Sequence, residues 1–232
     1  ADETADSVPI IPVVDKSEYA PLRKEGSRDP ELMSKSIFAY DTASGKTLLA
    51  KNADEVRPIA SISKVMTALV FTGLNPDWSS SYTMKASDRV EGGRNYINSG
   101  EEVMLKDLLY TSLVASDNSA TRALISASGL AYDEFIAAMN AKAEELGLSN
   151  TSLIEPSGIS RYNVSTASEV AKLIQAAVAN AIIRECLLKE NYSYKTLGGA
   201  SKNIRSTDLL LDDFNESPYS LLGGKTGYTI LA

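Results

Sequence analysis

Apolar and polar positions follow two different rhythms along the chain. Ser36-Ile37-Phe38-Ala39-Tyr40-Asp41 and Lys46-Thr47-Leu48-Leu49-Ala50 flank Thr42-Ala43-Ser44-Gly45, and two short apolar-rich runs around such a turn predict a β-hairpin. Over residues 61–72 the spacing changes to three and four. Ile62, Val65, Met66, Leu69 and Val70 then share one side of a predicted helix, which Gly73 and Asn75-Pro76 stop. Further helices are predicted over 106–115, carrying Leu108, Leu109 and Leu113, over 117–126, ended by Gly129, and over 132–146, closed by Gly147. Residues 166–188 read as one long helix, with Ser165 or Thr166 as N-cap and Glu169 completing a capping box. Residues 191–196 and 203–206 predict short strands, and residues 223–230 a strand entered through glycines. The class is α/β or α+β, with strands at both ends around a helical middle.

Composition narrows the chemistry. The 232 residues suit one large domain that buries roughly 70% of its unfolded surface and needs no covalent staple. Residues 1–32 are polar and Pro-containing, apart from the apolar patch over 8–14, and read as an extended arm before a domain over 33–232. The start Ala1-Asp2-Glu3 is what a cleaved export signal would leave. A net charge of −7 argues against nucleic-acid binding, and no apolar run approaches the ~20 residues of a membrane span. There is no histidine, which removes Ser-His-Asp triads, Cys-His dyads and His-ligated metals. The single cysteine, Cys186, sits among Ile182, Ile183, Leu187 and Leu188 and reads as a helix core residue. Hydrolytic chemistry would have to use Ser, Thr, Lys, Asp, Glu, Tyr or the backbone.

Three short motifs offer that chemistry. In Ser61-Ile62-Ser63-Lys64, positions i and i+3 of a helix bring a hydroxyl beside an amine, next to free N–H groups of a first turn. A lysine is a poor base at its ordinary pKa, and bringing it near neutrality costs on the order of 4 kcal/mol. Burial and a second cation do this, so a second lysine is expected nearby. Alone, the tetrad is weak and reads first as an N-cap serine and a solvated lysine. Lys225-Thr226-Gly227 supplies the second cation on a predicted strand. Gly227 would admit a substrate backbone, and the Tyr228 N–H would join that of Ser61 as an oxyanion hole. Ser116-Asp117-Asn118 lies between two predicted helices. It reads either as an N-cap cluster or as a proton relay, Ser116, with an amide holder, Asn118. Ser201-Lys202-Asn203 also fits S-x-N, but falls in a polar connector between predicted strands and is set aside.

S-x-x-K, S-D-N and K-T-G in this order are the known signature of penicillin-binding proteins and class A β-lactamases. Arg57-Pro58-Ile59-Ala60-Ser61-Ile62-Ser63-Lys64-Val65-Met66-Thr67-Ala68-Leu69 resembles the nucleophile helix of low-molecular-mass penicillin-binding proteins, the D-alanyl-D-alanine carboxypeptidases and endopeptidases. Gly100-Glu101, Leu105-Lys106-Asp107-Leu108-Leu109-Tyr110, Glu155-Pro156-Ser157-Gly158-Ile159-Ser160 and Gly223-Gly224-Lys225-Thr226-Gly227-Tyr228-Thr229 are similar to further segments of that family. The resemblance implies an antiparallel sheet with an all-helical subdomain. It implies that Ser61 attacks the penultimate D-Ala carbonyl of a peptidoglycan stem peptide, with Lys64 as base. Ser116, Asn118 and Lys225 would shuttle protons and hold substrate, and Thr226 would bind the terminal carboxylate. β-Lactams would acylate Ser61, no metal or cofactor is implied, and the site of action would be extracytoplasmic.

The chain stops five residues after Gly227, where the resemblance implies two more strands and a C-terminal helix. A fragment, weakly active or inactive by itself, is therefore expected, with an unpaired edge at the Lys225 strand. Three rivals remain at this level: a D,D-endopeptidase with the same machinery, a β-lactamase using Glu155 to activate water, and a non-catalytic wall-binding module.

Overall fold

The computed structural model describes residues 20–213 and 219–228. The chain forms two compact units, Ala1–Ala53 and Asp54–Ala232. In the first, β1 (Ile37–Tyr40) pairs antiparallel with β2 (Thr47–Lys51), as the two apolar runs around a turn predict. Its turn is fixed by Asp41, whose carboxylate accepts from the Ser44 N–H at 2.7 Å and the Ser44 hydroxyl at 2.6 Å. Residues 20–36 carry no helix or strand. They are tied to the hairpin by Lys46 Nζ on the Pro21 carbonyl, Lys51 Nζ on Leu32 and Asn52 Nδ2 on Lys35. The expected arm up to residue 19, with its apolar patch, lies outside the described residues.

The second unit is α+β. Its elements are β3 (Arg57–Pro58), α1 (Ser63–Gly73), β4 (Ser81–Thr83), β5 (Glu102–Met104), α2 (Leu105–Val114), α3 (Asn118–Ser128) and α4 (Tyr132–Glu145). There follow β6 (Val164–Ser165), α5 (Ala167–Ala179), α6 (Ala181–Leu187), β7 (Asn191–Lys195), β8 (Ser201–Arg205) and α7 (Leu210–Asp213). The strands pair as short antiparallel ladders, β3 with β6, β4 with β5 and β7 with β8. Helix α1 is central. Val65, Met66, Ala68, Val70 and Phe71 pack with Leu108, Leu109 and Leu113 of α2, Ala120, Ala123 and Leu124 of α3, and Phe135 and Met139 of α4. Its polar residues Ser63, Lys64 and Thr67 are buried too, and each has partners in the loop over residues 155–163. The β3–β6 ladder pairs Arg57 with Ser165 and Pro58 with Val164, and brings that loop to the start of α1.

Side-chain caps set the starts of α3, α5 and α6. Asp117 accepts from Ser119 N and Ala120 N at the start of α3, and Gly129, at φ +81°, ends it in the left-handed conformation. Cys186 is buried on α6, as expected. Four expectations need correction. Residues 166–188 are two helices, because Asn180 leaves helical ψ (119°) and turns its side chain to cap Ile183 N. Thr166 caps α5, but no capping box forms, since the buried Glu169 carboxylate accepts from Asn150 N, Asn150 Nδ2 and Thr151 Oγ1 instead. Ser201-Lys202-Asn203 lies in β8, not a connector, and its residues are structural: Lys202 pairs with Glu101 at 2.6 Å and Asn203 accepts from Ser193. The described part of the expected 223–230 strand has no ladder partner, and residues 229–230 lie outside the described residues.

Candidate active site

The chain enters α1 through a tight 3-10 turn, Ala60–Ile62, so Ser61 precedes the α-helix by two residues. Among described non-glycine residues with positive φ, Asn52 and Asn75 are of the type that tolerates it; Ala60 (φ +48°) and Ser116 (φ +56°) are not. Such strain costs of order 1–3 kcal/mol and persists where surroundings over-determine it. Ser116 belongs to the second motif, and Ala60 immediately precedes the first.

Lys64 is fully buried, and its Nζ has three partners: Ser61 Oγ at 2.9 Å, Asn118 Oδ1 at 2.7 Å and the Ser157 carbonyl at 2.6 Å. The Asn118 orientation is fixed because its Nδ2 donates to the Gly92 carbonyl at 2.8 Å. Two of the three partners can therefore only accept. A neutral Lys64 spends its two N–H bonds on them and is left with a lone pair facing the Ser61 hydroxyl. Burial, seconded by the charge of Lys225, lowers the Lys64 pKa to about 7, against the opposing charges of Glu155 and Asp117. The amine is thus a competent base near neutrality.

Lys225 reaches the same region from the far end of the sequence. Its Nζ donates to Ser116 Oγ at 3.0 Å and to the Thr226 carbonyl at 2.9 Å. Burial lowers its pKa to about 8, with Asp208 opposing. Thr226 shares a hydrogen bond of 2.6 Å with Thr207. A Cβ at Gly227 would lie 3.0 Å from the Ile59 carbonyl and 3.3 Å from Ala60 Cβ, so this glycine admits the chain's own backbone beside Ser61. Ser61, Ser116, Asn118, Thr226 and Tyr228 line one cleft of about 620 Å³. All eight residues singled out in the sequence thus converge. Asp117 supplies the N-cap, so the capping reading of Ser116-Asp117-Asn118 holds, while Ser116 and Asn118 line the cleft.

Several residues of the site were missed. Gly92, Gly93, Arg94 and Tyr96 line the cleft on a loop bound to the second motif: Tyr96 N donates to Asp117, Val90 N to Ser119 Oγ, and the Ser119 hydroxyl to Asn95. Arg205, the last residue of β8, and Thr207 just beyond it line it as well. Ser157 contributes only a backbone carbonyl, which no side-chain pattern announces. The glycines at 92 and 93 were the available signal. Among the described residues, no group of three or more acidic or cysteine side chains is gathered as a metal would need.

The sequence profile of the D-alanyl-D-alanine carboxypeptidase family, peptidase S11, matches residues 23–232. The chain belongs to this family. Similar relatives include the D-alanyl-D-alanine endopeptidase of Escherichia coli K12, 38% identical over 64% of this chain and 48% of that protein. The D-alanyl-D-alanine endopeptidase of Pseudomonas aeruginosa is 36% identical over 86% of this chain and 64% of its own. The chain spans about half to two-thirds of the length of such relatives. Among solved structures, the Streptomyces K15 DD-transpeptidase superposes with a TM-score of 0.81 at 26% identity, over 89% of this chain and 84% of that one. The D-alanyl-D-alanine carboxypeptidase of Mycobacterium tuberculosis gives 0.79 at 28% identity, over 91% and 79%. The fold of this family member is therefore that of the penicillin-binding proteins.

Proposed function

We propose that the chain carries the acyl-transfer machinery of a serine-type D-alanyl-D-alanine carboxypeptidase acting on peptidoglycan stem peptides outside the cytoplasm. The observation that carries this reading is the buried Lys64 amine, 2.9 Å from Ser61 Oγ, with its other two hydrogen bonds committed to acceptors. Ser61 Oγ attacks the penultimate D-Ala carbonyl while its proton passes to Lys64. The tetrahedral oxyanion is met by the N–H groups of Ser61 and Tyr228. The C–N bond breaks, the departing D-Ala nitrogen takes a proton relayed through Ser116, and a serine ester remains. Water then adds to the ester, Lys64 accepts its proton, and Ser61 is released with the shortened peptide. Asn118 holds the substrate amide. The Lys225 charge and the Thr226 hydroxyl bind the terminal carboxylate, and Gly227 sets the third segment against Ser61. β-Lactams enter the same path and stop at the ester.

Intact-mass spectrometry after incubation with benzylpenicillin tests this. One adduct is expected, on Ser61, and none in Ser61→Ala; an adduct elsewhere, or none on the unaltered chain, refutes the reading. A β-lactamase reading is disfavoured because both Glu155 oxygens are taken up by Ser157, Gly158 and Asn163. An endopeptidase reading has a specific support, since the E. coli, Haemophilus influenzae and P. aeruginosa relatives bear that name. Product analysis on a pentapeptide and on a cross-linked dimer separates the two.

A further inference from the structure

The loop over residues 155–163 lines the cleft with Gly158 and Ile159 and gives Lys64 one hydrogen-bond partner, the Ser157 carbonyl, and it is densely cross-linked within itself. Glu155 is its hub. One carboxylate oxygen accepts from Ser157 N at 2.8 Å and Ser157 Oγ at 2.7 Å; the other accepts from Gly158 N at 2.6 Å, Asn163 Nδ2 at 3.0 Å and, more weakly, Ser160 N at 3.4 Å. Asn163 is fully buried and closes the loop: its Oδ1 accepts from Ile154 N and Glu155 N, and its Nδ2 donates to the Glu155 carbonyl and to Ser63 Oγ on α1. Pro156 presents its carbonyl to Thr67, one turn beyond Ser63. The loop is thereby pinned to the helix that carries Lys64. Gly158, at φ +82°, sits so close that an added Cβ would lie 1.7 Å from the Ala60 carbonyl and 2.7 Å from Ser61 N. Ala60 is the strained residue before the candidate nucleophile. The turn ordered by Glu155 therefore braces two things at once, the carbonyl that takes one N–H of Lys64 and the backbone that presents Ser61.

We propose that Glu155 is a positioning residue for acylation. It holds the Ser157 carbonyl against Lys64, so that the lone pair of the neutral amine is left to Ser61, and it seats Gly158 against the Ala60–Ser61 peptide. This rests on the reading of Ser61 and Lys64 as nucleophile and base. Glutamine at 155 keeps the size of the side chain but replaces one accepting oxygen with an NH₂ that confronts donors on either side, so the turn cannot keep all its bonds. It also removes a negative charge that, with Asp117 at the α3 N-cap, favours the ammonium form of Lys64, while Lys225 disfavours it.

Acylation of the full chain by a fluorescent penicillin is measured across pH 5–10 for the unaltered protein, Glu155→Gln, Glu155→Asp and Ser157→Ala, with thermal melting of each. No labelling of the unaltered chain at Ser61 would count against the proposed function itself. With that labelling present, Glu155→Gln is expected to acylate about ten- to a hundredfold more slowly. The acid limb of its pH profile is expected to lie below that of the unaltered protein, because the amine loses partners of its charged form. A loss of folded protein alone lowers the amplitude without moving that limb. Glu155→Asp, which keeps the charge, is expected to restore the limb. An unchanged rate and limb in folded Glu155→Gln overturn the proposal. If that variant does not fold, Ser157→Ala decides: it deletes one anchor without unpairing a charge, and a rate about three- to fivefold lower supports the proposal, whereas an unchanged rate overturns it.

Discussion

At the scale of single residues, the site is two amines whose environments hold them near neutrality for different uses. In the proposed function Lys64 must be neutral to accept the Ser61 proton, and its pKa is brought to about 7 mainly by burial. Lys225 must there be charged to attract a carboxylate, and its pKa lies at about 8. Acylation is therefore expected to rise as pH passes 7, where Lys64 loses its proton, and to fall as pH passes 8, where Lys225 loses its charge. The two limbs are close and the groups interact, so the measured midpoints belong to the pair. Removing the second charge with Lys225→Gln relieves the Coulombic part of the Lys64 shift, which moves the acid limb upward, while burial keeps it well below an ordinary lysine. Stopped-flow acylation against pH for the two proteins checks both statements. An acid limb that stays in place in Lys225→Gln would separate the two lysines energetically.

At the scale of elements, the positions that matter are where segments distant in sequence touch. Gly158→Ala puts a methyl where the Ala60 carbonyl stands, at a φ that alanine resists. The combined cost is about 2–4 kcal/mol, or a melting point lower by about 5–15 °C for a chain of this size. Acylation should fall at least about tenfold beyond the loss of folded protein, because the displaced carbonyl adjoins Ser61. Gly129→Ala is the control. It meets the same unfavourable φ at the end of α3 with nothing within 4 Å, so about 1 kcal/mol and no change in acylation are expected. Calorimetry and labelling of both variants test the contrast. The same distinction governs what the sequence discloses. The hairpin and helices α2 to α4 were legible because their signals are local: apolar spacing, Asp117 before α3, Gly129 and Gly147 after helices. The motif residues were legible because hydroxyl, amine and amide have distinctive chemistry. The 155–163 loop could be recognised as a family segment but not read for its role, because that role is a backbone carbonyl and an asparagine bonding to a serine 100 positions away. Asn180 was overlooked because an asparagine inside an apolar period is compatible with a helix until its side chain finds a backbone N–H to cap.

At the scale of the whole molecule, the net charge of −7 opposes the anionic substrate of the proposed function. The opposition is resolved by distance. Charges spread over the surface act largely from beyond the ~8 Å over which physiological salt screens them. Arg94 and Arg205 line the cleft itself, and Lys225 donates to Ser116, which lines it. A carboxylate in the cleft feels these cations at short range, with Asp208 opposing at Lys225, and most of the surface charge through screened solvent, so local attraction exceeds global repulsion. Added salt should therefore weaken capture of an anionic β-lactam, lowering the second-order acylation rate severalfold between about 0.05 and 0.5 M ionic strength. Arg205 is partly engaged by Asp212 at 3.2 Å across an exposed pair, which contributes little to holding it there and leaves it available to a ligand. Replacing both arginines with glutamine should cost about three- to tenfold at low salt and leave a rate that barely changes with salt, because what remains of the local attraction is offset by the negative surface. A neutral ester of the same β-lactam should show little salt dependence with either protein. Equal salt slopes for the acid and its ester would place the recognition of charge elsewhere than at these two side chains.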